Sequence, residues 1–246
     1  MRDQNIYDDP IFFAGYSALR AGELNYNTLL EQPAMAELLP RLDGKTVLDL
    51  GCGCGQNCLQ FAKSGAERIV GIDLSERMLE VARREAAHPQ ITYVHRSISD
   101  LSEIEERFDL IYSSLAFHYI ENFAKLMGEC HRLLRPGGNL LFSQEHPIVT
   151  ATKDYGGHFN CDASGKQVSF TFSDYGRSGP RESFWFVDGV RSYHRTMGEI
   201  LTAVADAGLV IEKVCEPVPE RWATRKLPEL EKEWIKPAFL LVRARK

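Results

Sequence analysis

Residues 47–55 read VLDLGCGCG, an apolar run with one acidic residue that opens into three alternate glycines. Thr46 to Leu50 predicts a short strand, and the stretch beyond the glycines is helical up to a stop at Gly65. Bare backbone at the glycines lets a bulky ligand lie against the turn. A dinucleotide fingerprint, G-x-G-x-x-G, would seat a pyrophosphate on the helix N-terminus, but here the third glycine comes one residue early. Asp49 places a negative charge beside the turn. It would repel a pyrophosphate, yet it can accept hydrogen bonds, directly or through water, from a ligand ammonium group.

About twenty residues further on, IVGID (69–73) ends a second strand, the distance of one strand-helix-strand step. Asp73 then faces the ligand, where its carboxylate can accept from both hydroxyls of a ribose and repel a 2′-phosphate. Ser75 is placed to cap a helix running to about Ala87. Ile91 to Val94 and Asp109 to Tyr112 are the third and fourth strands. A helix from Phe123 to Leu134 stops at RPGG (135–138), and Asn139 to Ser143 is the fifth strand. Each connection is too long for a hairpin, so the reading is an α/β domain with a doubly wound parallel sheet.

Residues 1–44 read as a helical segment, broken at Pro33 and Pro40, that packs across a main domain of residues 45–246. Past Glu145 the composition turns to glycine, serine, aspartate and aromatics, with strand-like alternation from Val168 to Phe172, so about 146–195 is expected to be an inserted cap. A helix from Thr196 to Ala207 ends at Gly208, and strands follow at Leu209 to Val214 and Ala238 to Arg243.

A chain of 246 residues, 44% hydrophobic and 26% charged, suits one domain with an elaboration. Its net charge of −5 gives no basic field for nucleic acid. No apolar stretch approaches the roughly 18 to 20 residues that span a bilayer, and the start MRDQNIYDDP lacks a secretory core, so a cytoplasmic protein off the membrane is expected. The six cysteines are expected to be thiols. Cys52, Cys54 and Cys58 lack the spacing and second ligand pair of a zinc site, so no metal is expected.

Four motifs in order and spacing, VLDLGCGCG (47–55), IVGIDLSERML (69–79), FDLIYSSLAFHYI (108–120) and LLRPGGNLLFS (133–143), resemble those of class I S-adenosylmethionine-dependent methyltransferases. The likeness is strongest to the small-molecule, ubiquinone-biosynthesis-like branch and runs through most of the chain. The resemblance implies a Rossmann-like, seven-stranded, mostly parallel sheet with an antiparallel last strand. It also implies S-adenosyl-L-methionine over the carboxyl ends of the first, second and fourth strands, with S-adenosyl-L-homocysteine as product. By the same resemblance Asp49, Gly51, Cys52 and Gly53 surround the methionine part, Asp73 the ribose and Leu74 one adenine face. Ser97 and Ile98 meet the adenine edge, and Ser113, Ser114 and Leu115 close the site. Many relatives carry an acid at the position of Ser97; a hydroxyl accepts more weakly, and Asp100 stands three residues on as a substitute. The N-terminal segment of this branch often folds over the cofactor, which would bring Tyr16 and Arg20 to its carboxylate, Arg20 in a bidentate pair.

A methyl group on a sulfonium is already activated, so positioning in a dry site carries most of the catalysis, and a base is needed only if the acceptor must lose a proton. His118, Glu145, His146 and His194 are the candidates. His118 follows the fourth-strand motif and suits either a base near neutral pH or a packed ring. Glu145 and His146 leave the fifth strand at the methyl-transfer point, although Pro147 also suits a simple turn. His194 equally suits capping the following helix. Phe184, Trp185 and Phe186 form an aromatic wall, either a substrate lid or the hairpin's own core. No Asn-Pro-Pro-Tyr or Asp-Pro-Pro-Tyr, the element with which amino-methylating nucleic-acid enzymes of this fold hold their target, follows strand four, which with the acidity favours a small-molecule substrate. The rival readings are a cofactor-binding protein without methyl transfer and an NAD-dependent oxidoreductase. Monomer and homodimer are both open.

Overall fold

The computed structural model describes residues 3–22, 24–153 and 157–246. Parts of the expected N-terminal segment (1, 2 and 23) and of the expected cap (154–156) lie outside the described residues. The N-terminal part holds α1 (Pro10–Ala21) and α2 (Gln32–Leu38). Asp9 caps α1 by accepting from the Ile11 and Phe12 N–H groups at 2.9 and 3.0 Å, and Pro10 sits where no N–H is needed. Pro33 does not break the helix as expected. It falls in the first turn of α2, which a wide π turn at Asn27–Glu31 leads into, so its missing N–H and its ring offend nothing.

Five strands and three helices follow, alternating except that β3 leads directly to β4: β1 (Thr46–Leu50), α3 (Gln56–Lys63), β2 (Arg68–Asp73), α4 (Glu76–Glu85), β3 (Ile91–His95), β4 (Phe108–Ser114), α5 (Phe123–Leu133) and β5 (Leu134–Glu145). Ser75 caps α4, accepting from Met78 N–H at 3.1 Å. β5 starts five residues before the position the sequence suggests. Leu134 already pairs with Phe108, and the proline–glycine stretch is taken up in a register shift before Leu110 meets Asn139. The chain continues through α6 (Pro147–Thr150), the hairpin β6 (His158–Cys161) and β7 (Gln167–Thr171), and the hairpin β8 (Gly179–Trp185) and β9 (Val187–His194). It ends with α7 (Met197–Asp206), β10 (Val210–Cys215), α8 (Arg221–Lys226) and β11 (Phe239–Arg245).

The main sheet has seven strands in the order β10-β11-β5-β4-β1-β2-β3, with β11 antiparallel to both neighbours and the other pairings parallel. Alternation within β1 divides its side chains between two cores. Leu48 and Leu50 pack on one face with residues of α5 and α7, and Val47 on the other with residues of α3. Each such fully buried side chain contributes about 1.5–3 kcal/mol. The chain leaves β1 toward β2 on one side, and β4 later returns to the other side of β1. This switch point leaves a crevice at the carboxyl ends of β1 and β4, the standard ligand position in open α/β sheets.

Candidate active site

A cavity of about 480 Å³ fills that crevice, and Gly51, Cys52 and Gly53 form part of its floor. Gly51 has φ +78°, and a Cβ there would lie 2.5 Å from the Ala116 Cβ, so it is glycine because the two loops pack together. Gly53 has φ +54°, and the space where its Cβ would stand is open, with nothing within 4 Å. Its glycine identity therefore leaves room for a ligand. Asp73 holds this turn in place: one carboxylate oxygen accepts from Gly53 N–H and the other from Ser75 N–H, both at 2.8 Å. Burial raises its carboxyl above the usual range even against these bonds.

Two residues of the expected contact set lie behind the wall. Asp49 shares the Val47 face of β1 and is fully buried, where one oxygen accepts from the Cys58 thiol at 3.3 Å and Oδ1 has no partner among the described residues. Burial pushes its carboxyl up to about 7. Ser113 is likewise buried, with its hydroxyl donating to the Leu50 carbonyl at 2.7 Å, so it ties β4 to β1. Because the folded-state pKa of Asp49 is raised, the folded form is favoured below the ordinary value near 3.8, and that advantage is lost as pH rises toward 7. The stability gained by Asp49→Asn over the parent should therefore grow between pH 4 and 7 and level off above it. Urea unfolding across that range checks this, and a pH-independent difference would contradict it.

Leu74, Ser97, Ile98, Ser114 and Leu115 line the cavity as expected residues. Asp100 does not reach Ser97; its carboxylate accepts from the Ser102 hydroxyl at 2.7 Å. An acid arrives instead from the N-terminus, where the Asp3 carboxylate accepts from the hydroxyls of Ser97 and, at 3.1 Å, Ser99. Residues 3–8 form a strap: Asn5 donates to the Leu74 carbonyl at 3.1 Å, the Ser75 hydroxyl to Asp8 at 2.6 Å, and Gln4 to the Gly189 carbonyl at 2.8 Å. α1 brings Tyr16 and Arg20 to the cavity. One Arg20 nitrogen donates to Gln56 at 3.2 Å, while the buried Nη1 has no partner among the described residues. Sequence reading missed Asp3, Tyr7, Tyr119 and Glu31. The buried Glu31 carboxylate accepts from Ser143 at 2.5 Å and Ser114 at 2.8 Å, fixing the ends of β4 and β5.

The catalytic candidates separate clearly. Glu145 and His118 line the cavity. His118 is buried, its Nδ1 accepts from the Glu145 N–H at 3.5 Å, and burial lowers its pKa. A neutral ring accepting at Nδ1 carries its proton on Nε2, which suits donating to a ligand better than abstracting a proton. His146 is outside the cavity. Its Nδ1 accepts from Ile148 N–H at 3.1 Å, capping α6, and its Nε2 contacts Glu216 at 2.7 Å. His146→Ala should cost about 1 kcal/mol in urea unfolding and leave S-adenosylhomocysteine affinity unchanged by calorimetry; a tenfold loss would return it to the site. His194 is also structural, accepting from Thr150 at 2.8 Å and donating to the Tyr175 carbonyl at 2.9 Å, while Thr196 makes the capping box of α7. Of the three cap aromatics Trp185 lines the cavity, Phe186 packs on Phe12 at 5.7 Å, and Phe184 is exposed.

The switch-point crevice, the open glycine and the acid at the end of β2 define a nucleoside-binding, Rossmann-like α/β enzyme. Residues 47–138 match the family described as "Methyltransferase domain". The chain is similar to an S-adenosylmethionine-dependent methyltransferase structure from Mesorhizobium loti, with 40% identity and a TM-score of 0.82, covering 88% of this chain and 97% of that one. An uncharacterized protein of Haemophilus influenzae is 37% identical, with 98% of this chain and 97% of that protein aligned. A ubiquinone biosynthesis O-methyltransferase of Alkalilimnicola ehrlichii is 35% identical over 112 residues, which cover 44% of this chain and 45% of that enzyme. The chain belongs to the S-adenosylmethionine-dependent methyltransferases. It is thus a methyltransferase that uses S-adenosyl-L-methionine, and the nicotinamide and binding-only readings fall away. The residues present fit that cofactor: Gly53 leaves an open cradle, Asp73 offers acceptors, and the buried Arg20 Nη1 awaits an anion.

Proposed function

We propose that this enzyme methylates a small cytoplasmic metabolite. The observation that carries the reading is the cover over the site. The strap, α1 and the β8–β9 hairpin cover the crevice, and the cofactor and its acceptor share a space of about 480 Å³, the scale of small-ligand pockets. The protein's net charge of −5 offers no field for a phosphate polymer.

In this reading Gly51, Cys52 and Gly53 hold the methionine part against bare backbone, with Asp49 behind them. Asp73 receives the ribose hydroxyls, Leu74 and Ile98 flank the adenine, and Ser97 joined to Asp3 meets its edge. Ser114 and Leu115 close the wall, and Arg20 beside Tyr16 takes the carboxylate. When bound, the cofactor supplies an activated methyl group. The chain's own part is to orient the acceptor and exclude water, with His118 Nε2–H as an orienting donor. The ubiquinone enzyme matches over less than half of either chain, so its acceptor does not carry over.

Cell extract separated into small molecules, nucleic acid and protein and incubated with methyl-labelled S-adenosylmethionine tests this reading. Label should appear in the small-molecule fraction, and label confined to macromolecules would contradict the proposal.

A further inference from the structure

Glu145 ends β5, in register with Phe239 of β11, and lines the cavity. Its backbone is fixed by His118, yet its carboxylate makes no hydrogen bond or ion pair to any described residue. The neighbouring wall is aromatic. The Tyr119 hydroxyl lies 3.3 Å from that of Tyr7, the Tyr7 ring meets Tyr16 edge-on at 5.1 Å, and Tyr16 meets Trp185 at 5.9 Å.

The nearby cations have partners of their own, and Lys236 also lies within electrostatic reach of Glu145. Arg191 pairs with Glu182 at 3.2 Å, Arg195 donates to the carbonyls of Ile120 and Glu121, and Lys236 lies over the rings of Phe159 and Phe170 at 5.8 and 5.3 Å. Arg20 lies over the Tyr16 ring at 6.0 Å and donates to Gln56 at 3.2 Å, and its Nη1 is kept for the cofactor carboxylate. Along this wall, then, a carboxylate without a hydrogen-bond partner among the described residues borders the cavity beside ring faces and phenol oxygens. That set attracts a cation by charge and by cation–π contact and repels an anion.

We infer that the acceptor carries a basic amine and that Glu145 is the carboxylate that recognises it, a deepening that rests on the small-molecule reading above. The same carboxylate can take the proton that an ammonium sheds to present its lone pair and pass it to solvent. Tyr7, carried by the strap, makes the aromatic part of this subsite dependent on the strap being in place.

Calorimetry on the intact protein tests the assignment. S-adenosylhomocysteine is titrated first, and the saturated protein then receives tyramine, 4-ethylphenol and 4-hydroxyphenylacetate, which share a ring and differ in charge. Tyramine should bind about tenfold or more tightly than either of the others, and Glu145→Gln should erase that preference while S-adenosylhomocysteine affinity holds. Equal binding of the three, preference for the anion, no tyramine binding, or a preference that survives Glu145→Gln would each overturn the role of Glu145. The selectivity of the parent protein alone keeps the test decisive if the variant fails to fold. Failure of the underlying reading shows separately, as label confined to macromolecules in the extract experiment.

Discussion

Gly53→Val should weaken binding of S-adenosylhomocysteine by about 100-fold or more, the upper part of the range for overpacking a filled site, while the protein still folds. The Cβ direction of Gly53 points into open space, so in the empty protein an isopropyl group meets no atom within 4 Å at its first carbon. The backbone at φ +54° penalises a β-branched residue by roughly 1–2 kcal/mol, which lowers the melting temperature by about 2–8 °C in a chain of this size. The binding penalty is separate, because the added side chain fills the space in which the ligand must lie. Gly51 is a poorer probe, since a Cβ there collides with Ala116 at 2.5 Å and mixes folding with binding. Calorimetry and thermal unfolding on the same sample separate the two effects, and affinity within threefold of the parent would mean that the turn is not the docking surface.

Asp73→Ala should weaken S-adenosylhomocysteine binding by about 1.5–3 kcal/mol, or roughly 10- to 150-fold, through the loss of charge-assisted hydrogen bonds. Two causes act together. The ribose loses its acceptors, and the N–H groups of Gly53 and Ser75 lose the carboxylate that each meets at 2.8 Å. Asp73→Asn keeps the shape and one carbonyl acceptor, so it should fall between the parent and the alanine variant. A full-strength Asp73→Ala protein would remove the carboxylate from the site.

The fold was legible wherever the pattern was local. The run from Thr46 to Leu50, the Ser75 cap and the stop at Gly208 depend on neighbours within a few residues, and the structure places β1, α4 and the end of α7 there. Pro33 misled because a helix interior and a first turn look alike in sequence, and only the chain's entry through the π turn distinguishes them. Candidate site residues next to the glycine turn were readable from the alternation of β1, except for depth: Asp49 lies two residues beyond Val47 and so points into the same core beneath the turn.

Long-range polar partners carried no signal in one sequence. Asp3 reaches Ser97 across 94 positions and Glu31 reaches Ser143 across 112, and neither pairing has a spacing rule. His146 and His194 show the converse. Their positions beside the site suggested chemistry, and the structure gives both of their ring nitrogens structural partners.

The most direct test is a crystal structure of the protein with S-adenosylhomocysteine. The ribose hydroxyls should sit on the Asp73 carboxylate, the adenine between Leu74 and Ile98, and the amino-acid portion along the open face of Gly53 with its carboxylate at Arg20. A nucleoside bound anywhere outside this crevice, with Gly53 and Asp73 untouched, would contradict the account.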